Sequence, residues 1–571
     1  MNFALPGCRS NYSLLWGTAS PGQLVEQAGR AGLEYLGLAD NDNLYGIIDF
    51  YHLCRDAGIV PLIGVRLSTA LGKLHLIAQS YSGYQNLCRL VTVRKLEDGV
   101  SAEKLALCGH GLFCLVADAA HLSALKEIFG GNLFWSAAGD EPRRLYNIMQ
   151  EQAVRPVADP TVSFIDRDDY QTHLLLRAID AGALIDNLTD TMHDRPDCCF
   201  PDNSDMQKRF AQMPEAVVNG LSIARRCRVT FPERRNLLPS FPDTHHDHAA
   251  LLRHKALSGL REKRNPVRGA YQARLDFELE VISRTGFTDY FLIVASIVDH
   301  CRRTGIPVVG RGSAAGSLAA FALGITQVDP IREGLYFERF LNEARSDPPD
   351  IDLDIDWRRR DDVLNYVYTQ YGRERTAMIA SYTRFRARLA VREVAKAHGL
   401  PPEEIDRLAK RLPHGADPHE IAQALRKLPP ASRAMIDFER YAPIIREAVR
   451  LDGFPRHLGI HPGGIVITPA PLTDYVALEW AAKGIVVTQC DMYQADKFGL
   501  VKIDILRQRG QAVIVDCQRQ VSDLTRKPFA VPDDDPATYR LLQSGKTIGV
   551  FQIESPGLRA LLRDLRPTRL D

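Results

Sequence analysis

The stretch Pro349-Asp350-Ile351-Asp352-Leu353-Asp354-Ile355-Asp356-Trp357 alternates acidic and apolar residues with a period of two. That period belongs to a β-strand, with Asp350, Asp352, Asp354 and Asp356 on one face and Ile351, Leu353 and Ile355 on the other. Four carboxylates on one surface repel one another and raise their own pKa values unless a multivalent cation or a fringe of Lys and Arg neutralises them. Aspartates one residue apart on a strand can bridge a pair of hard cations, as two-metal phosphoryl-transfer sites do. An acidic edge strand that resists aggregation has the same pattern. The alternation alone leaves both open, and the rest of the chain has to decide.

At 571 residues the chain exceeds what one core supports, so roughly three to five domains are expected. Apolar content of 45% and charged content of 25% are those of an ordinary globular protein. A net charge of +1 excludes a uniformly basic protein but not a local groove for a polyanion. The eleven cysteines include no Cys-x-x-Cys pair, and adjacent Cys198 and Cys199 are poorly spaced to share one tetrahedral ion, which points to free thiols in a reducing compartment. No apolar run approaches the ~20 residues of a membrane span, and Met1 to Asn11 lack the basic and apolar regions of a secretory leader. A cytoplasmic location with no membrane partner is the expectation.

Between Pro21 and Gly64, amphipathic pieces (Gln23 to Ala31, Ile47 to Asp56) alternate with short apolar ones (Tyr35 to Ala39, Val60 to Val65). Repeated βα units of this kind predict a parallel sheet or barrel, continuing through Leu74 to Ala78, Gly111 to Ala117 and Leu133 to Ala137. Phe231 to His248, with three prolines and with His245, His246 and His248, reads as a solvated linker, although the histidines alone would also suit a metal. Helices are predicted over Ala270 to Gly286 and Tyr290 to Arg302.

Next come a short apolar strand, the turn Gly310-Arg311-Gly312-Ser313 and an Ala-rich helix. Glycines let the backbone approach a ligand, and the helix start offers N–H groups and its positive dipole end to a phosphate. Arg311 adds a charge and Ser313 a hydroxyl; a tight packing turn is the alternative. After the aspartate strand, a helix is expected over Arg358 to Tyr371, and Arg384, Arg386, Arg388, Arg392 and Lys396 then punctuate a segment read as helical. That basic surface suits a nucleic-acid backbone, or is a solvated helix face. Pro401 to Arg450 reads as short helices broken by prolines, and strands return at Gly464 to Ile467, Gly484 to Thr488 and Gly499 to Leu506. In the last, Lys502 and Asp504 share a face, as a structural ion pair or as a third metal-binding carboxylate beside a phosphate-neutralising cation.

Taken together these residues resemble the bacterial C-family replicative DNA polymerases, the family of the DNA polymerase III α subunit and its error-prone relatives. The ordered matches are Gly310-Arg311-Gly312-Ser313, Gly324-Ile325-Thr326 with Asp329-Pro330, Phe337-Glu338-Arg339-Phe340-Leu341, Pro349 to Asp354, Val501-Lys502-Ile503-Asp504, and Gly549 to Ser555. The resemblance implies an α/β and α+β multidomain fold: a PHP-type (βα) barrel, then a palm like that of the polymerase β nucleotidyltransferases with a helical thumb inserted in it. The expected divisions are residues 1–230 for the barrel, 231–383 and 461–509 for the palm, 384–460 for the thumb and 510–571 for the start of the fingers.

The resemblance further implies that Asp352, Asp354 and Asp504 hold two Mg²⁺ ions and are catalytic, while Asp356 is an extra acid without that role. Gly310, Arg311, Gly312, Ser313 and Lys502 would bind the nucleotide, and Arg384, Arg386, Arg388 and Arg392 the DNA. The implied activity is template-dependent addition of deoxynucleotides to a primer 3′-hydroxyl, in replication or error-prone repair synthesis. Its partners would be primer–template DNA, deoxynucleoside triphosphates, and a sliding clamp and other replisome or repair subunits reached through further C-terminal regions.

Two departures qualify this. Where the family has paired histidines the chain has Gly7-Cys8-Arg9, an Asp-His pair is Asp40-Asn41, and an expected Glu is Arg66, so no metal is expected in the barrel, which becomes a scaffold. The sequence also ends at Asp571, near the start of the fingers, which leaves a non-catalytic nucleic-acid- or partner-binding fragment as the alternative function. A PHP-type metal phosphoesterase is a further alternative, against which the lost histidines weigh.

Overall fold

The computed structural model describes residues 3–138, 151–232, 237–243, 247–264, 267, 269–342, 348–430, 437–526 and 535–569. The chain forms two compact units. One gathers Met1–Leu237, Glu374–His461 and Val466–Val501; the other gathers Leu238–Arg373, Pro462–Ile465 and Lys502–Asp571. Of the expected thumb and palm, residues 384–460 and 376–383 cluster with the barrel residues: Ala377 and Ile379 share a core with Leu36 and Val65, and Phe385, Ala390 and Val391 share another with Leu175 and Leu176.

In the first unit seven strands lie side by side in sequence order: β1 (Leu5–Cys8), β2 (Tyr35–Asn41), β3 (Val60–Thr69), β4 (Gly72–Ala78), β5 (Leu112–Val116), β6 (Leu133–Ala137) and β7 (Arg155–Ala158). Helices Pro21–Arg30 and Ile47–Asp56 return the chain for the parallel pairs β1–β2 and β2–β3, as the βα pattern predicts. The expectation of uniform βα units fails at β4, which runs antiparallel to both neighbours. Only Ala70 and Leu71 separate it from β3, too short for a crossover, and Gly72 turns the chain with φ +99°.

Both faces of this sheet are buried, as strands covered by helices require. Leu36, Leu38, Ile63, Val65 and Leu76 join one cluster, and Leu62, Ile77, Phe113, Phe134 and Val157 another. The sheet curls: after β7 the chain returns to β1, where Arg9 N donates to Val162 O at 2.9 Å, and helix Pro214–Arg226 packs on both β7 and β1.

The linker reading of Phe231 to His248 is corrected at both ends. Phe231 is buried among Tyr51, Tyr84 and Phe498, with ring centroids 4.3, 4.8 and 5.3 Å away. His248 opens the helix His248–Lys263, and its ring pairs with Asp289 Oδ1 at 2.5 Å. His245 and His246 lie outside the described residues. An aromatic side chain at the edge of a proline-rich stretch anchors what composition alone marks as loose.

In the second unit, helices Ala270–Arg284 and Thr288–Arg303 stand where the pattern predicts them. Three strands lie in the order Lys502–Gln508, Asp352–Asp356, Val308–Arg311, the middle one parallel to the first and antiparallel to the last. Leu353 and Ile355 are fully buried. Among the described residues no single helix is long and apolar enough to cross a membrane. Replacing Phe231→Ala should destabilise the protein by about 3–5 kcal/mol, the cost of emptying a buried aromatic site. A urea midpoint unchanged by the substitution would return Phe231 to a linker.

Candidate active site

The central strand Asp352–Asp356 carries the alternating face into the second unit's interior. In its parallel register with Lys502–Gln508, Asp352 stands opposite Asp504. On the antiparallel side Arg311 stands opposite Asp352. Two acids and an arginine are thus side by side through backbone pairing alone.

Lys502 Nζ lies between two carboxylates, hydrogen-bonded to Asp504 Oδ2 and 3.1 Å from Asp350 Oδ1. Burial alone would lower the pKa of this lysine, but the hydrogen bond and charge of Asp504, with Asp350, raise it. Arg311 spans the neighbouring pair, with Nη2 3.3 Å from Asp352 Oδ2 and Nε 3.1 Å from Asp354 Oδ1. Despite both cations the Asp352 carboxyl is pushed up, first by burial and then by the charges of Asp350 and Asp504. Asp356 behaves differently: it accepts from Arg358 N and Nε at 2.9 and 3.0 Å, and these bonds hold its carboxyl below the usual range.

Liganding oxygens of Asp350, Asp352 and Asp504 lie within 4.8 Å of one another, which suits a hard dication and supplies the charge that would relieve their repulsion. Asp350 was missed as a site residue, although the same alternation carries it. Asp354 is turned instead to Arg311, whose side chain is 52% exposed. Gly463 makes room beside Asp504, since a Cβ there would meet Leu506 Cδ2 at 2.3 Å and Asp504 Oδ1 at 3.2 Å.

The strand, turn and helix read around Gly310–Ser313 are present in that order. Val308–Arg311 is a strand, and a 3-10 turn over Gly312–Gly316 leads into helix Leu318–Ala322. Gly312 has φ +75° with open space beside it, and Ser313 is exposed. Gly310 serves packing, because a Cβ there would lie 2.6 Å from Ile325 O.

The start of the helix is not free for a phosphate. Glu278, fully buried, fills it: Oε1 accepts from Leu318 N at 3.0 Å and Oε2 from Ala319 N at 2.9 Å and Ser317 Oγ at 2.8 Å. Arg274 Nε donates to Oε1 at 2.6 Å. A side-chain carboxylate thus takes the place that the turn motif suggested for a ligand. Nothing in the charged pattern of Ala270–Arg284 distinguishes Glu278 from its neighbours. What remains for an anion is Arg311, Lys502 and the exposed Gly312–Ser313 backbone.

The basic segment differs from expectation in secondary structure. Arg384 ends a strand, Thr376–Arg384, and the helix begins only at Ala387. All four arginines have partners within their own unit. Arg384 Nη1 donates to Gly453 O at 2.5 Å, Arg386 pairs with Asp417, Arg388 Nε donates to Leu412 O at 2.7 Å, and Arg392 pairs with Asp406 at 2.6 Å.

The fold and the strand cluster define a protein in which a PHP-type α/β domain precedes a polymerase-type palm. Residues 7–195 match the PHP domain, 250–507 the bacterial DNA polymerase III alpha NTPase domain, and 511–571 the finger domain of the bacterial DNA polymerase III alpha subunit. The chain belongs to the bacterial DNA polymerase III α-subunit family. It is 35% identical to an error-prone DNA polymerase of Symbiobacterium thermophilum over all of this chain and 57% of that protein. It is 33% identical to a DNA polymerase III subunit alpha of Bacillus subtilis over all of this chain and 54% of that protein. An error-prone DNA polymerase of Pseudomonas aeruginosa is 33% identical over 98% of this chain and 56% of its own length. The chain spans a little over half the length of these curated relatives.

Glu278→Gln should cost about 1–3 kcal/mol, since one amide N–H must then face a donor that the carboxylate now satisfies. Urea unfolding measures the loss, and faster hydrogen exchange at the Leu318 and Ala319 amides locates it. Unchanged exchange at both amides would show that the carboxylate is not their partner.

Proposed function

We propose that this chain carries the nucleotidyl-transfer site of a DNA-directed DNA polymerase, adding deoxynucleotides to a primer 3′-hydroxyl on a template. The observation that carries the reading is the cross-strand register of Asp352 with Asp504, flanked by Arg311 and Lys502. Carboxylates gathered on one strand face beside paired cations suit a hard-metal site next to a polyanionic substrate.

Asp352 and Asp504, with Asp354 as the family resemblance suggests or Asp350 as the oxygen cluster favours, would hold divalent ions, Mg²⁺ by preference. Such ions, when bound, supply Lewis-acid activation of the primer hydroxyl and charge stabilisation at the transferring phosphate. Arg311, half exposed, would be free to turn from the carboxylates to the triphosphate. Lys502 stays on Asp504, holding its carboxylate on the strand face and offsetting phosphate charge. Gly312 and Ser313 present backbone N–H groups and a hydroxyl at the same edge. No covalent intermediate is required, so the chain's residues position the substrate and balance its charge.

The DNA-binding reading of Arg384, Arg386, Arg388 and Arg392 stands as part of the proposal, with phosphate contact replacing the intramolecular pairs of Arg386 and Arg392. A sliding clamp and other replisome or repair subunits remain expected partners of the longer relatives' architecture.

Asp352→Asn and Asp504→Asn should each weaken Mn²⁺ binding, followed by electron paramagnetic resonance, by about tenfold or more, and lower primer extension by about a hundredfold or more. Comparing Asp350→Asn with Asp354→Asn decides which carboxylate completes the set. Wild-type Mn²⁺ affinity in both the 352 and 504 variants would end the metal reading. Neutralising Arg386 and Arg392 should flatten the salt dependence of DNA binding by about one unit of slope for each phosphate that is no longer neutralised; an unchanged slope would leave them as structural ion pairs.

A further inference from the structure

The curled sheet of the first unit encloses a cavity of about 280 Å³, lined by Arg9, Asn41, Arg66, Lys73, His75 and Ser136 among others. In a PHP-type domain this is where a metal cluster would be expected, and the side chains present do not fit one. The acids at this place are already neutralised. Arg9 Nη1 lies 2.8 Å from Asp194 Oδ2, and Arg66 Nη2 lies 3.1 Å from Asp159 Oδ1. Their oxygens take further donors: Ser136 Oγ and His75 Nδ1 reach Asp159 Oδ2 at 2.7 and 2.9 Å, while Trp16 Nε1 and Ser163 Oγ each reach Asp194 Oδ2 at 2.6 Å. Burial opposes ionisation of Asp159, yet Arg66 and His75 hold its carboxyl well below the usual range. The imidazole of His75 fills the space of a side chain at residue 7, since a Cβ on Gly7 would lie 2.6 Å from its Cε1 and Nε2. A cation entering here would displace two buried guanidinium groups.

The surface facing the cavity has the opposite preference. The side chains of Arg9 and Arg66 are only 15% and 17% exposed, so water screens them poorly. They are close enough that Arg66's charge, after burial, helps to lower the pKa of Arg9. Arg66 Nε is buried with no hydrogen-bond partner. Lys73 stands exposed at the rim. Asn41 Oδ1 accepts from Arg9 Nε at 3.2 Å, which leaves its amide N–H groups available. Asp42 is the one lining carboxylate, and it is taken up by Ser68 N at 2.7 Å and by Arg94 at 3.4 Å. Lys73, and Arg9 and Arg66 with Asp194 and Asp159 still paired to them, therefore border a space large enough for a phosphate group with part of its ester, and Asp42 is the one acid that lines it.

We propose that this cavity is an anion site, in which Arg66, Arg9 and Lys73 bind a phosphate dianion, either free or as the terminal group of a mononucleotide. Guanidinium forks suit tetrahedral oxyanions, and partial burial strengthens each contact.

The test is calorimetric titration of the full chain, in buffer with a chelator, by inorganic phosphate and by deoxyadenosine 5′-monophosphate. An Arg311→Gln background weakens any palm contribution, and dependence on Lys73 identifies the cavity. One saturable equivalent is expected, and Lys73→Gln and Arg66→Gln should each weaken it on the order of tenfold. Equal affinity for the two ligands assigns the free anion, and tighter binding of the nucleotide assigns the ester; both uphold the site. Arg66→Gln leaves Asp159 short of a partner and risks misfolding, so the exposed Lys73→Gln carries the test by itself if needed. No saturable binding up to about 10 mM overturns the proposal. So does affinity indifferent to Lys73→Gln, or stoichiometric Zn²⁺ uptake that is lost in Asp159→Asn.

Discussion

Everything in the second unit is arranged around the repulsion between carboxylates that one strand pairing forces together. Parallel register sets Asp352 beside Asp504, with Asp350 near both. Two such charges roughly 5 Å apart in a part-buried setting cost on the order of 3 kcal/mol. Lys502 and Arg311 offset that cost from opposite sides. The backbone is held in place by Arg360, a buried guanidinium that donates to Ile505 O at 2.8 Å and Pro462 O at 3.1 Å. Leu353 and Ile355 bury the other face. The strand is stable because its apolar half is in the core, while its acidic half stays crowded.

The first unit answers the same electrostatic demand differently. Its acids, Asp159 and Asp194, are matched by Arg66 and Arg9, and those guanidinium groups are mostly buried. Arg311 in the second unit is half exposed. An exposed arginine can exchange for a dication at little cost, whereas removing a buried one strands a carboxylate in low dielectric. The two sites therefore differ in what an incoming ion would have to displace. The aspartate strand sets Asp350, Asp352, Asp354 and Asp504 against Arg311 and Lys502, whereas Asp159 and Asp194 each have an arginine of their own.

Much of this was legible in the sequence. The period-two stretch became a strand, the two helices before it fall where their patterns end, and the first βα units appear as read. Among the readings that failed, three show the reason clearly. The reversal of β4 depends on a two-residue connection that periodicity does not count. The linker reading of Phe231 followed composition, while the aromatic cluster that buries it comes from Tyr51, Tyr84 and Phe498, remote in the chain. The helix start after Gly312 looked open to a phosphate because Glu278, 40 residues from Leu318, carries no local mark of its role.

Sequence alone determined which residue types line up on a strand face, since side-chain alternation is a property of the backbone and needs no partner. It also determined that Arg9 and Arg66 bring positive charge to positions where the resemblance places metal ligands, because that charge belongs to the side chain itself. Tertiary structure decided which carboxylates converge: Asp350 joins Asp352 and Asp504, while Asp354 turns to Arg311 and Asp356 to Arg358. Alternation places all four on one side but says nothing of the neighbouring strand's register or of which cation reaches each oxygen. Those pairings join residues far apart in the chain, and they exist only once the strands have come together.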